Sequence, residues 1–141
     1  MQLRPLQPSD LPEIRRLYNQ SRAETFVWLD SSNYQPEDFD RDSEGELVQV
    51  AIIDDQLAGF IAVWEPEDFI HHLYVASAFQ NQGVGSQLLS WAKHNYPKLA
   101  LKCMTRNHHA LAFYQSRGFV IDSEGENDEG SYYLMCFYGR S

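Results

Sequence analysis

Residues 73–89 read LYVASAFQNQGVGSQLL, an apolar, strand-like run that passes into an amphipathic helical pattern across Gly83 and Gly85. A strand that turns this quickly into a helix leaves the first N–H groups of the helix without carbonyl partners, at the positive end of the helix dipole. Such a junction suits an anion. Gly83 and Gly85 lack Cβ atoms, so the loop they form with Gln80, Gln82, Val84 and Ser86 can turn tightly and bring its backbone close to phosphate oxygens. Two other phosphate-binding patterns fail on the same letters. A dinucleotide fingerprint needs Gly or Ala where Leu88 stands and an acid before Asp122, and a P-loop needs Gly-Lys-Ser/Thr.

The periodicity on either side switches between strand and helix, with no repeat, linker or low-complexity tract. MQLRPL reads as a strand ended by Pro8. SDLPEIRRLYNQSRAETF reads as a helix with Asp10 as its N-cap, Glu13 at N3 and Leu11, Ile14, Leu17 and Tyr18 on one face. Residues 27–46 mix aromatics with acids and leave room for a short helix after Pro36. ELVQVAIIDDQLAGFIAVWE is a hairpin turning at Asp54-Asp55, and a further strand follows over residues 69–76. Beyond the glycines, Leu88, Leu89, Trp91 and Ala92 keep helical spacing to about Asn95, and Pro97 prevents continuation. KLALKCM is a strand, NHHALAFYQSR a helix closed by Gly118, FVIDS a strand, EGENDEG an acidic loop and SYYLMCFY the last strand. The order β-α-(α)-β-β-β-α-β-α-β-β predicts an α/β (α+β) fold, a mixed, largely antiparallel sheet of about seven strands with helices on both faces.

At 141 residues the chain fits one domain over 1–141. It has no 18-residue apolar run and no basic-then-apolar leader, which points to a cytoplasmic protein with no membrane partner. Cys103 and Cys136 form neither a CxxC pair nor a ligand spacing with histidine, so buried thiols and no metal are expected. A formal net charge of -9 argues against a nucleic-acid partner. The charge is segregated. Residues 69–121 hold no Asp or Glu, yet carry Lys93, Lys98, Lys102, Arg106, Arg117 and all five histidines. A basic middle between acidic flanks suits a polyanion held by one part and a cation attracted by another.

The pattern Gln80-x-x-Gly83-x-Gly85 after a strand resembles the acetyl-CoA pyrophosphate loop of the GCN5-related N-acetyltransferase family. A second block, RNHHALAFYQSRGF, is similar to that family's Asn-x-x-Ala-x-x-Phe-Tyr-x-x-x-Gly-Phe, matched by Asn107, Ala110, Phe113, Tyr114, Gly118 and Phe119. The element order extends the resemblance over essentially the whole chain. It implies the family's acyl-CoA N-acyltransferase fold and direct transfer of an acetyl group from acetyl-CoA to an amine. It also implies that Tyr114 acts as general acid toward the departing thiolate. Leu73 and Val75 then hold the pantetheine and thioester through their main chain, where their strand splays from the next. Asn107 can cap its helix or offer an amide to the pantetheine arm, with Phe113 one turn on.

An alkylammonium must lose a proton before it attacks, so a base near pKa 7 is needed. Many relatives supply a Glu on the strand entering the loop, but here His71 and His72 stand there, with an ordinary pKa suited to the task. Alternation puts His71 on the face of Leu73 and Val75, and His72 on the other. Some family members specific for arylalkylamines carry a histidine matching His71, so His71 is favoured, with His72, Glu67 and Asp68 as alternatives. Acceptor recognition is expected over residues 24–42, where Trp28, Tyr34 and Phe39 lie among Glu24, Asp30, Glu37 and Asp38. Acids beside aromatics favour a cationic amine. A small polyamine-like amine, an aminoglycoside-like drug, an amino acid and a protein lysine or N-terminus all stay open. A module that binds acyl-CoA without turnover is the alternative function. The C-terminal strands, with Tyr132 and Tyr138, could pair two copies into a homodimer.

Overall fold

Apolar residues spaced three and four apart give α1 (Leu11–Thr25) one face that buries Ile14, Leu17, Tyr18 and Ser21. The computed structural model describes residues 1–139. Its other elements are α2 (Asp38–Asp42), α3 (Val84–Asn95), α4 (His108–Ser116) and seven strands. The strands are β1 (Gln2–Pro5), β2 (Leu47–Ile53), β3 (Gln56–Trp64), β4 (Phe69–Val75), β5 (Leu99–Met104), β6 (Val120–Asn127) and β7 (Gly130–Phe137). They form one sheet in the order β1-β2-β3-β4-β5-β7-β6. Every neighbouring pair is antiparallel except β4 and β5. The expected mixed sheet, largely antiparallel and covered on both faces, is therefore the observed one.

Each face has its own core. Phe60, Val50 and Ala62 meet Ile14 and Tyr18 of α1 and Phe39 of α2 on one side. Ile61, Val63, Leu101 and Met135 meet Leu88 and Leu89 of α3 on the other, with Ala110 and Phe113 of α4 packed against them. The β2–β3 hairpin turns where Asp54 and Asp55 both take positive φ, 50° and 63°, a conformation that Asp tolerates and that matches the twist of the strands.

Two local expectations are corrected. Asp10 does not cap α1 with its side chain. Its carboxylate instead accepts Arg4 Nη1–H at 2.7 Å and the Gln7 N–H at 2.8 Å, because the 3-10 turn at Pro8–Asp10 starts the helical backbone one turn earlier and leaves Asp10 itself helical, with φ -81° and ψ -15°. Glu13 reaches across to accept the Leu57 N–H. The stretch EGENDEG is also mostly strand. Glu124, Gly125 and Glu126 pair with Tyr133, Tyr132 and Ser131, and only Asp128 and Glu129 separate β6 from β7. Acidic side chains are tolerated there because β6 is the edge of the sheet and almost wholly exposed. That order puts β7, with Tyr132, inside the sheet between β5 and β6, so of the two C-terminal strands only β6 has a free edge.

Leu88 is fully buried against the sheet, and Leu88→Ala is expected to lower the unfolding free energy by about 2–5 kcal/mol. Urea unfolding should show this as a lower midpoint with an unchanged slope.

Candidate functional site

The parallel pairing of β4 with β5 joins only Phe69 to Ala100 and Ile70 to Leu101. The reason lies on the other edge of β4. Its register with β3 slips between Ala62 and Val63, so His71 is an extra residue opposite none, a β-bulge that bends the strand where its pairing with β5 stops. Ala76 N–H donates to the Ala58 carbonyl at 2.8 Å, so by strand alternation the N–H groups of Leu73 and Val75 face away from β3, into the gap.

Two clefts open from that gap. One, of about 590 Å³, runs past Gln80, Gly83, Gly85, Ser86 and Phe113. The other, of about 530 Å³, is walled by His71, His72, Asp42, Lys102 and Glu129. Thr25, Leu73, Tyr74, Asn107, Ala110 and Tyr114 line both, so the clefts meet at the splayed strands. A ligand in each would bring its reacting end there.

The glycine loop divides its labour. Gly83, at the N-cap of α3, takes φ 78° in the left-handed region, and a Cβ built on it would meet nothing within 4 Å. Its lack of a side chain serves conformation and leaves open space above the backbone. Gly85 keeps α3 low against Phe113 and Val75, whose atoms lie 3.5 Å and 3.7 Å from a would-be Cβ. Val84 is buried in the core, and Gln82 is exposed and outside the cleft wall, so of the loop residues these two present at most their backbone. Ser86 receives a hydrogen bond from the Arg117 guanidinium, which stacks 4.3 Å from the Phe113 ring. Arg117 lines this cleft although the motifs did not single it out, as do Ser21 and Thr25 of α1, and Glu24, expected among the acceptor acids, lines it too. They arrive by tertiary packing, which no local pattern encodes.

Asn107 caps α4, its Oδ1 accepting the Ala110 N–H at 3.1 Å, which leaves its amide N–H groups for the clefts. Tyr114 packs edge-on to Phe113 and Phe119, at 5.2 Å and 5.7 Å between ring centres. Burial holds its phenol protonated well above the ordinary tyrosine range. Among the described residues its hydroxyl has no hydrogen-bond partner. Cys103 lines the histidine side of the same gap, and burial pushes its thiol up to about 11, so it is a neutral group at pH 7.

The two histidines depart from the alternation expected of a regular strand. His72 lies opposite Leu73 and Val75 in facing, toward Tyr18, 5.1 Å away on α1. The bulge puts His71 on that side too, with its ring stacked on His72 at 4.3 Å. Their environments differ sharply. His71 is half exposed, and its Nδ1 is hydrogen-bonded to Glu46, which raises its pKa above the ordinary histidine value. His72 is mostly withdrawn from solvent, with Nε2 buried and unpartnered, and desolvation lowers its pKa to about 3. Glu67 and Asp68 line neither cleft. Glu46, His71 and His72 are close enough to suggest metal ligation, but imidazole planes stacked 26° from parallel send their nitrogen lone pairs side by side rather than onto one ion.

Most acids expected to receive a cationic acceptor are engaged within the protein. Asp38 holds Arg22 at 2.8 Å, and the Arg22 guanidinium lies over the rings of Tyr18 and Tyr34. Asp30 accepts the Ser32 N–H, Glu24 bonds the Ser77 hydroxyl, and Phe39 belongs to the core. Trp28 donates its Nε1–H to the Glu129 carbonyl under the Arg106 guanidinium. The carboxylates that line the cleft with His71 are Asp42, which is itself bonded by Tyr18, Arg22 and Arg41, and Glu129.

Residues 11–119 match the acetyltransferase (GNAT) family, and the chain belongs to that family. It is 32% identical over 76 residues to a peptidyl-lysine N-acetyltransferase, YiaC, of Escherichia coli strain K12, covering 54% of this chain and 51% of that one. The chain spans about half the length of the curated relatives it matches. Among solved structures it resembles the PaiA N-acetyltransferase of Thermoplasma acidophilum in complex with coenzyme A, with a TM-score of 0.76, 22% identity, and coverage of 96% of this chain and 97% of that one. It also resembles the ribosomal-protein-S18-alanine N-acetyltransferase of Escherichia coli, with a TM-score of 0.77, 19% identity, and coverage of 99% and 95%. These likenesses establish a shared fold. Among the described residues no helix is long and apolar enough to cross a membrane.

The contrast between the stacked histidines is directly measurable. In a ¹H–¹⁵N titration His71 is expected to titrate above the ordinary histidine value and His72 to stay neutral at pH 5, given its pKa of about 3.

Proposed function

We propose that residues 1–141 form a single N-acetyltransferase domain that transfers the acetyl group of acetyl-CoA directly to a primary amine, with a cationic acceptor. The observation that carries this reading is the junction of the two clefts at the splayed strands, beside Tyr114 and the open N-terminus of α3. The residues present suit coenzyme A. Free N–H groups at Gly83–Ser86 would hold its pyrophosphate, and Leu73 and Val75 would hold the pantetheine and polarise the thioester carbonyl through their unpaired N–H groups.

In this reading the ammonium first gives a proton to His71, whose half-exposed ring and raised pKa suit a base, whereas dry His72 is too weak a base at pH 7. The amine nitrogen then bonds to the carbonyl carbon, the C–S bond breaks, Tyr114 protonates the leaving thiolate, and the second proton shed by the acylated nitrogen restores the Tyr114 phenol. Glu129 on the acceptor wall, in a chain of net charge -9, favours a cationic amine, a class that includes the peptidyl lysine named for the relative from Escherichia coli.

Tyr114→Phe tests the reading. It should keep CoA affinity and lower kcat about a hundredfold or more, read as thiol release with an amine panel. Affinity is checked by thermal unfolding, where ligand at a hundred times its Kd adds about 2.7 kcal/mol. Stabilisation by acetyl-CoA with no turnover in the native protein would instead indicate an acyl-CoA-sensing module.

A further inference from the structure

We propose that Glu46 is a positioning residue that fixes the His71 ring and its tautomer, so that Nε2 is the nitrogen offered to the acceptor's ammonium. The inference rests on the acetyltransferase reading and deepens it. Glu46 stands just before β2, two strands from β4 in the sheet, and its side chain is only 4% exposed. One carboxylate oxygen, Oε2, bonds His71 Nδ1, and the other, Oε1, is buried without a partner. A carboxylate withdrawn from water with half of its acceptor capacity idle is costly unless its remaining contact is important. That contact is with the one histidine that lines the acceptor cleft half exposed.

The bulge makes the pair possible. In a regular strand His71 would point with Leu73 and Val75 to the α3 side, away from Glu46, but the extra residue turns it to the α1 side. His72 then backs it as a neutral stacked ring. The carboxylate accepts Nδ1–H, so the neutral imidazole keeps its lone pair on Nε2, and the imidazolium formed on proton abstraction is stabilised. The other charged groups facing His71 are Asp42 from α2, which favours the imidazolium, and Lys102 from β5, which opposes it. Protons balance: of the two that leave the acceptor nitrogen, one passes to Nε2 and on to solvent through the cleft, and the other replaces the proton that Tyr114 gives to the thiolate.

The test compares native protein with Glu46→Gln and Glu46→Asp, each first shown by thermal unfolding to be folded. In the free proteins, ¹H–¹⁵N spectra should show the native His71 as the Nδ1–H tautomer. In Glu46→Gln its pKa should fall by about one unit or more, as for loss of an adjacent opposite charge. With acetyl-CoA and a lysyl peptide or spermidine as acceptor, the rising limb of kcat/KM against pH should move to lower pH by the same amount. Its plateau should drop about tenfold or more, with KM for acetyl-CoA unchanged and partial recovery in Glu46→Asp. An unmoved His71 pKa, or a moved pKa with an unchanged plateau, would overturn the role of Glu46 while leaving the acetyltransferase reading intact. A native protein that shows the Nδ1–H tautomer but acetylates neither acceptor would overturn the proton-abstraction role together with that reading.

Discussion

Everything at the site depends on β4 and β5 parting after two residue pairs. A parallel pair buried between two layers of helices would normally continue, because an unpaired N–H in such a place costs about as much as a lost hydrogen bond. Here the pairing ends where the slip against β3 inserts His71. The bend opens a gap, the gap exposes the N–H groups of Leu73 and Val75, and the two clefts join there. The same extra residue that opens the site also aims a histidine into it.

Much of this architecture is legible in the sequence because it is local. Gly83 and Gly85 mark the strand-to-helix junction, Asp54-Asp55 the hairpin, Asn107 a helix cap and Pro97 a helix end, and each is governed by residues within a few positions. The bulge is different. It depends on how β4 registers with β3, and HHLYV alternates no differently with or without it. Reading strict alternation through residues 71–75 therefore placed His72 correctly and His71 on the wrong side.

The same boundary separates what was and was not legible about charge. The acid-rich stretch around α2 looks from its composition like a receptor for cations, yet Asp38 and Asp42 flank Arg22, which arrives from α1. Asp40 is held in turn by Arg15. Asp10 takes Arg4 before it can cap its helix. Glu46 meets His71 across 25 positions of sequence. Carboxylates find their partners through the fold, and a list of charges cannot say which remain unpaired.

The exposed edge at β6 has a consequence for how the molecule behaves in company. An edge strand presents a row of unsatisfied N–H and C=O groups that can template another strand. This one carries Asp122, Glu124 and Glu126 along its eight residues. A second copy laying its own β6 alongside would bring carboxylates against carboxylates, a repulsion that works against sheet extension and fibre growth. The acids that cost the strand its resemblance to a strand in the sequence are thus what keep its open side from polymerising.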